Sequence, residues 1–129
     1  MVRLTEDEEN WLKNNYPKLS YDRERSVIYG PFSIYHCYKN KPSIKATFEI
    51  EVRLWLMKSR NEYPIVYNTD NKILKIAQRK CLLRDDLHIN YDDSLCLGLP
   101  EKFSEYFPRG FYIEDLFPIL SSFFYWVAY

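Results

Sequence analysis

The segment HINYDDSLCLGLP, residues 88–100, gathers the side chains of this chain best suited to covalent chemistry. Cys96 stands between Leu95 and Leu97, just after a polar turn that holds His88, Asn90, Asp92 and Asp93. A cysteine set at the edge of such a loop can attack an activated acyl carbon, hold the acyl group as a thioester and release it to an amine. The plainer alternative is a small buried hydrophobe, the commonest fate of a lone cysteine. Asn90 is equally at home as a turn residue. Asp92 and Asp93 could orient or deprotonate an incoming amine, or form nothing more than a solvated acidic turn.

The other two cysteines offer less. Cys81 precedes two leucines and reads as core, and Cys37 sits on a predicted strand beside His36. A zinc site from Cys37, Cys81, Cys96 and a histidine lacks any paired Cys-x-x-Cys spacing, so no metal is expected. A Cys-His hydrolase with His88 or His36 as base stays open, because nothing in the spacing fixes a distance. No cofactor motif is present, and no cofactor is expected.

At 129 residues the chain is read as one domain, 1–129, large enough for a real core. Apolar residues make up 47% and aromatics 18% against only three glycines, the composition of a packed globular domain and not of a disordered one. Eighteen basic residues balance eighteen acidic ones, and the clusters DRER and QRK are dispersed among acids. No footprint for nucleic acid or for an anionic membrane follows from that balance. The start MVRLTEDEEN lacks the apolar stretch of a signal peptide, and an odd, small number of cysteines fits a reducing compartment. A cytoplasmic location is therefore expected. FYIEDLFPILSSFFYWVAY is interrupted by Glu114, Asp115 and Pro118, which leaves too short an apolar run to span a bilayer.

Positioning the thiol falls to the elements around it. Thr5 with Glu8 three residues on predicts a capping box, and a short helix that carries Trp11 and Leu12 on its apolar side follows until Asn14, Asn15 and Pro17 stop it. Residues 26–38 read as a strand with Phe32, Ile34, His36 and Tyr38 on one face, and Ser33, Tyr35 and Cys37 on the other. KNKPS supplies the turn. In ATFEIEVRLWLM the apolar Phe48, Ile50, Val52, Leu54 and Leu56 alternate with Glu49, Glu51, Arg53 and Trp55, the period of two of a strand wet on one face. That pattern favours an antiparallel meander over a doubly wound parallel sheet.

A third strand is expected over residues 63–67, ending in an Asn-Thr-Asp turn. NKILKIAQRKCLLRDD fits a helix or a short strand pair, and residues 85–94 read as an ordered loop. After a turn at 108–110, Ile113, Leu116, Phe117, Leu120, Phe124 and Val127 recur at steps of three and four. They predict an amphipathic helix, with Asp115 as a candidate cap and Pro118 placed in its first turn. Its apolar end at Tyr129 suits either a piece of a longer chain or a surface laid against a partner.

The order helix, three-strand meander, long loop with a cysteine, helix resembles the ubiquitin-conjugating enzymes over roughly residues 25 to 127. Tyr63 and Pro64 match that family's strand-end Tyr-Pro. His88, Ile89 and Asn90 match its His-Pro-Asn element with isoleucine in place of proline, and Asp93, Ser94, Leu95, Cys96 and Leu97 match the run around its cysteine. The interval from asparagine to cysteine is shorter than in typical eukaryotic members. The chain is most similar to the stand-alone bacterial members of CBASS anti-phage operons. The resemblance implies an α+β fold of the ubiquitin-conjugating type, with its C-terminal helix packed on the sheet and Cys96 as the acyl-carrying thiol. Asn90 would then be an oxyanion donor worth about 3 kcal/mol, and His88, Asp93, Tyr63 and Pro64 would brace the loop. The implied partner is the C-terminal tail of a ubiquitin-like protein or of a cyclic-oligonucleotide synthase, a nucleotidyltransferase, with an activating enzyme as a possible second. A noncatalytic binding module on the same fold is the main rival, and a thiol hydrolase of small acyl substrates a third.

Overall fold

The computed structural model describes residues 1–36, 40–41, 43–80, 89–90 and 92–128. His88, Cys37, Tyr38 and Cys81 lie outside the described residues. Helix α1, Glu6–Asn15, begins where the capping box requires: the Thr5 hydroxyl accepts from the Glu8 N–H, and the Glu8 carboxylate accepts from the Thr5 N–H. Four acids in its first turn complement the helix dipole.

Strands β1 (Ser20–Asp22), β2 (Val27–His36), β3 (Ile44–Arg53) and β4 (Val66–Asn68) form one antiparallel sheet in chain order. The meander thus has a fourth strand that apolar patterning did not reveal, because β1 is three residues long and none of them is fully buried. Ile28, Phe32, Ile34, Phe48, Ile50 and Val52 turn inward and are at most 2% exposed. Their neighbours Ser33, Thr47 and Glu49 face water, and the Ser33 and Thr47 hydroxyls share a cross-strand hydrogen bond.

Three boundaries differ from the sequence expectation. Ser26 is a buried turn residue with φ of 52°, so β2 starts one residue later than expected. β3 stops at Arg53, and the chain tightens into a 3-10 turn, Leu54–Leu56. Trp55 N–H bonds to the Ser26 carbonyl and Met57 N–H to the Leu54 carbonyl, so the apolar step becomes three: Leu54 and Met57 are buried and Leu56 is exposed. The expected strand at 63–67 is displaced to Val66–Asn68, and Tyr63 and Pro64 precede it as coil.

The ambiguous segment is a helix, α2, Lys72–Lys80. Its start is held by side chains: Asp70 accepts from the Lys72 N–H and Asn68 from the Ile73 N–H. Ile73, Ile76 and Ala77 are buried at helical steps. After the cysteine loop come a 3-10 turn (Pro100–Lys102), a one-turn helix α3 (Phe103–Tyr106) and the long helix α4, Ile113–Ala128.

Every apolar position expected on α4 is buried. Phe124 stacks on Phe48 of β3 with centroids 4.3 Å apart, and Phe117 stacks on Tyr16 at the end of α1 at 4.1 Å. The core lies between the inner sheet face and α4, with α1 packed on the same helix. Two details of α4 correct the sequence reading. The helix begins at Ile113, so Asp115 is inside the first turn and is not a cap. Pro118 is then the sixth helical residue, beyond the first turn, and forfeits the bond that its N–H would have made to the Glu114 carbonyl. Among the described residues no helix is long and apolar enough to cross a membrane.

Candidate functional site

Cys96 sits at the end of a short loop tied to the β4 edge of the sheet. Leu95 N–H donates to the Val66 carbonyl at 2.8 Å, and Ile89 and Leu95 form an antiparallel bridge. The loop is closed by its own polar groups: Asn90 N–H donates to the Ser94 carbonyl at 2.7 Å, and Asp93 N–H to the Asn90 carbonyl at 3.0 Å. Asp93 has φ of 73°, the left-handed conformation that Asp tolerates better than most residues. Ser94 is buried, and its hydroxyl and N–H both donate to one Asp92 oxygen, at 2.6 and 3.1 Å. Those bonds hold the Asp92 carboxyl below its ordinary pKa.

The bridge fixes where Cys96 can go. Leu95 is 4% exposed and anchors the backbone in the core, so the next side chain emerges on the other side of an extended segment. Cys96 is a free, partly exposed cysteine, and its thiol makes a weak contact to the Gly98 carbonyl at 3.9 Å.

Two clefts meet at this residue. A cleft of about 240 Å³ is lined by Tyr63, Pro64, Asn90, Ser94 and Cys96, among others. Another, of about 440 Å³, runs from Cys96 between residues 97–99 and the outer side of α4. Four of the residues singled out in the sequence therefore face one space, although Tyr63 and Cys96 are 33 positions apart. Asn90 is exposed, and its side-chain amide donates to the Ser94 hydroxyl at 3.1 Å.

Asp92 and Asp93 do not share that space. They line a different cleft with Arg53, Tyr67 and Asn68. Asp93 contributes backbone conformation to the loop, whereas Asp92 supplies the carboxylate that organises it. His88 falls outside the described residues, as do Cys37 and Cys81. Among the described residues no group of three or more His, Cys, Asp or Glu could hold a metal ion.

Tyr63 braces the far side of the cysteine loop. Its hydroxyl donates to the Leu99 carbonyl at 2.6 Å, and its ring meets Phe103 and Phe107 edge-on at 5.3 and 6.1 Å. Burial, and then its neighbours Tyr106 and Cys96, raise the Tyr63 pKa, so the phenol keeps its proton and donates.

Gly98 is the partner that sequence reasoning missed. A Cβ at this position would lie 2.7 Å from the Tyr63 hydroxyl and 3.1 Å from the Tyr106 ring, so only glycine lets the phenol pass over the loop. The signal was its rarity, one of three glycines in the chain. Ile119, Ser122 and Phe123 were also missed as site residues, since they lie on the side of α4 that the core periodicity leaves out.

Together the loop presents a partly exposed sulfur, an asparagine amide across a small cleft and an apolar groove on the other side. Such a constellation suits attack on an acyl carbon followed by aminolysis. No family model, no curated protein and no solved structure matches the chain.

Proposed function

We propose that this chain is a cysteine-dependent acyl carrier of the ubiquitin-conjugating type, with Cys96 as the nucleophile. The observation that carries the reading is the partly exposed residue Cys96 at the meeting of two clefts, on a loop pinned through Leu95 to β4. The order of the motif residues, Tyr63-Pro64, then Asn90, then Ser94-Leu95-Cys96-Leu97, supports the same reading. The substrate is the activated C-terminal carboxyl of a partner protein, and the resemblance to the bacterial members of anti-phage operons implies a cyclic-oligonucleotide synthase.

In the first step the sulfur attacks the activated carbonyl carbon, a C–S bond forms, the activating group departs and the thiol proton passes to solvent. In the second an amine attacks the same carbon, the C–S bond breaks, and the amine's proton is lost as the sulfur leaves. Each step develops negative charge on the carbonyl oxygen. Asn90 lines the small cleft with Cys96, its amide bonded to the Ser94 hydroxyl, and in this reading it is the donor for that charge.

The test is mass spectrometry of the chain isolated from cells that also express its genomic neighbours. A protein adduct on Cys96 that thiols release, and that Cys96→Ser converts into a thiol-resistant ester, is the expected result. Absence of any adduct, with the chain still bound to a partner, would instead assign a noncatalytic binding module.

A further inference from the structure

The larger cleft has a composition that the proposed chemistry does not require. Its floor and walls are Leu97, Leu99, Tyr106, Ile119, Ser122 and Phe123, and Cys96 stands at its rim. Among the described residues no Asp, Glu, Lys, Arg or His side chain lines it. One wall, residues 96–99, lies outside any helix or strand, and its Leu99 carbonyl is already taken by the Tyr63 hydroxyl and the Lys102 N–H. The opposite wall is α4, where the partly buried Ile119, Ser122 and Phe123 recur at helical steps. Leu99, 58% exposed, and Tyr106, 41% exposed, sit at the mouth.

We infer that the C-terminal tail carried on Cys96 ends in apolar residues, whose side chains lie in this groove. The inference rests on the acyl-carrier reading and names the class of tail. An acyl group bonded to Cys96 extends from the sulfur, and the groove begins at that sulfur. Charged side chains entering it would lose water and meet no counter-charge among the described residues that line it. A peptide fits better than a fatty acyl chain: the groove is open and not an enclosed tunnel, and Ser122 and Tyr106, which bear hydroxyls, are among the residues that line it.

Peptide thioesters of mercaptoethanesulfonate, identical except for their last two residues, test this directly. In the exchange, Cys96 sulfur bonds to the carbonyl carbon, the donor C–S bond breaks and the released mercaptan takes the proton. Loading of the full chain is followed by intact mass spectrometry, with peptide mapping to Cys96. Tails ending in Leu or Phe are expected to load about tenfold or more faster than tails ending in Asp, Lys or Gly, the factor that burying one apolar side chain allows. Leu99→Asp at the exposed mouth and Ser122→Asp inside the groove should each bring the apolar tails down to the rate of the glycine tail. Iodoacetamide labelling of Cys96 at the wild-type rate would show that neither variant has disturbed the thiol.

Equal loading of every tail overturns the inference while leaving the carrier reading intact. Faster loading from an octanoyl thioester than from any peptide overturns the choice of a peptide. Failure of all thioesters to load a Cys96 that iodoacetamide does label overturns both readings.

Discussion

Glu8, on α1, and Cys96, on a loop, are polar groups set against the same core, and their surroundings are opposite. The Glu8 carboxylate is 2% exposed and accepts from the Thr5 and Ile113 N–H groups at 2.9 and 2.8 Å. Arg60 adds two guanidinium bonds, at 2.6 and 3.2 Å, and also donates to the Arg3 and Phe111 carbonyls at 2.7 Å. One acid thus joins α1, the loop at Arg60 and the start of α4. Among the described residues the Cys96 thiol has a single weak contact, and Cys96 lines two clefts. A group whose bonding capacity is filled from every side is a fastener; a group left with room around it can accept a ligand.

Removal of the fastener should have the largest effect. Glu8→Ala leaves the Arg60 guanidinium without its carboxylate and the Ile113 N–H without an acceptor, and is expected to cost about 3–5 kcal/mol in chemical denaturation. Burial works to raise the Glu8 pKa, but the hydrogen bonds from Arg60, Thr5 and Ile113 overcome it and hold the carboxyl below its ordinary value. A depressed folded pKa means that this stability is present above the unfolded value of about 4.3 and is lost as pH falls through the folded one. Glu8→Gln should therefore flatten the acid limb of the stability curve.

The brace around the cysteine loop comes next. Gly98→Ala forces a methyl against a phenol that is already hydrogen-bonded and wedged against two rings, and should cost about 1–3 kcal/mol in the same denaturation series. Tyr63→Phe removes only the bond to the Leu99 carbonyl, about 1 kcal/mol. It should also slow acyl loading of Cys96 in the mass assay, because residues 97–99 are no longer fixed.

Cys96→Ser is the smallest stability change, expected within about 0.5 kcal/mol of wild type. A loss comparable to that of Glu8→Ala would erase the contrast between the two regions and make Cys96 a structural residue. Thermal melts of the two variants side by side decide this.

The parts of the fold set by near neighbours were legible in the sequence. Thr5 and Glu8 announce α1 because both ends of the capping box lie within four residues, and Phe48, Ile50 and Val52 announce β3 because burial on one sheet face imposes a period of two. Steps of three and four did the same for α4. What depends on distant partners was hidden. Glu8 reads as the second half of a capping box, and its pairing with Arg60 spans 52 positions. β1 carries too little apolar signal in three residues, and β4 slips past Tyr63-Pro64 because the Tyr63 hydroxyl is engaged with Leu99, 36 positions on.

At the candidate site, Cys96 and Asn90 were identifiable from residue order, while the groove beside them was not. Its Ile119, Ser122 and Phe123 look like the unremarked side of a core helix until the loop is laid across them. Asp93 stood out by sequence position, and it lines another cleft together with Asp92.

The central claim is that the Cys96 sulfur is open in the folded protein, and native-state alkylation measures it most directly. Iodoacetamide added to the intact chain without denaturant, with the modified cysteine located by peptide mapping, should label Cys96 within about tenfold of the rate for a free cysteine peptide. The rate should not change in low, non-unfolding concentrations of urea. Labelling that is slower by many orders of magnitude and rises only as the chain opens would place the sulfur behind the folding barrier and contradict the account.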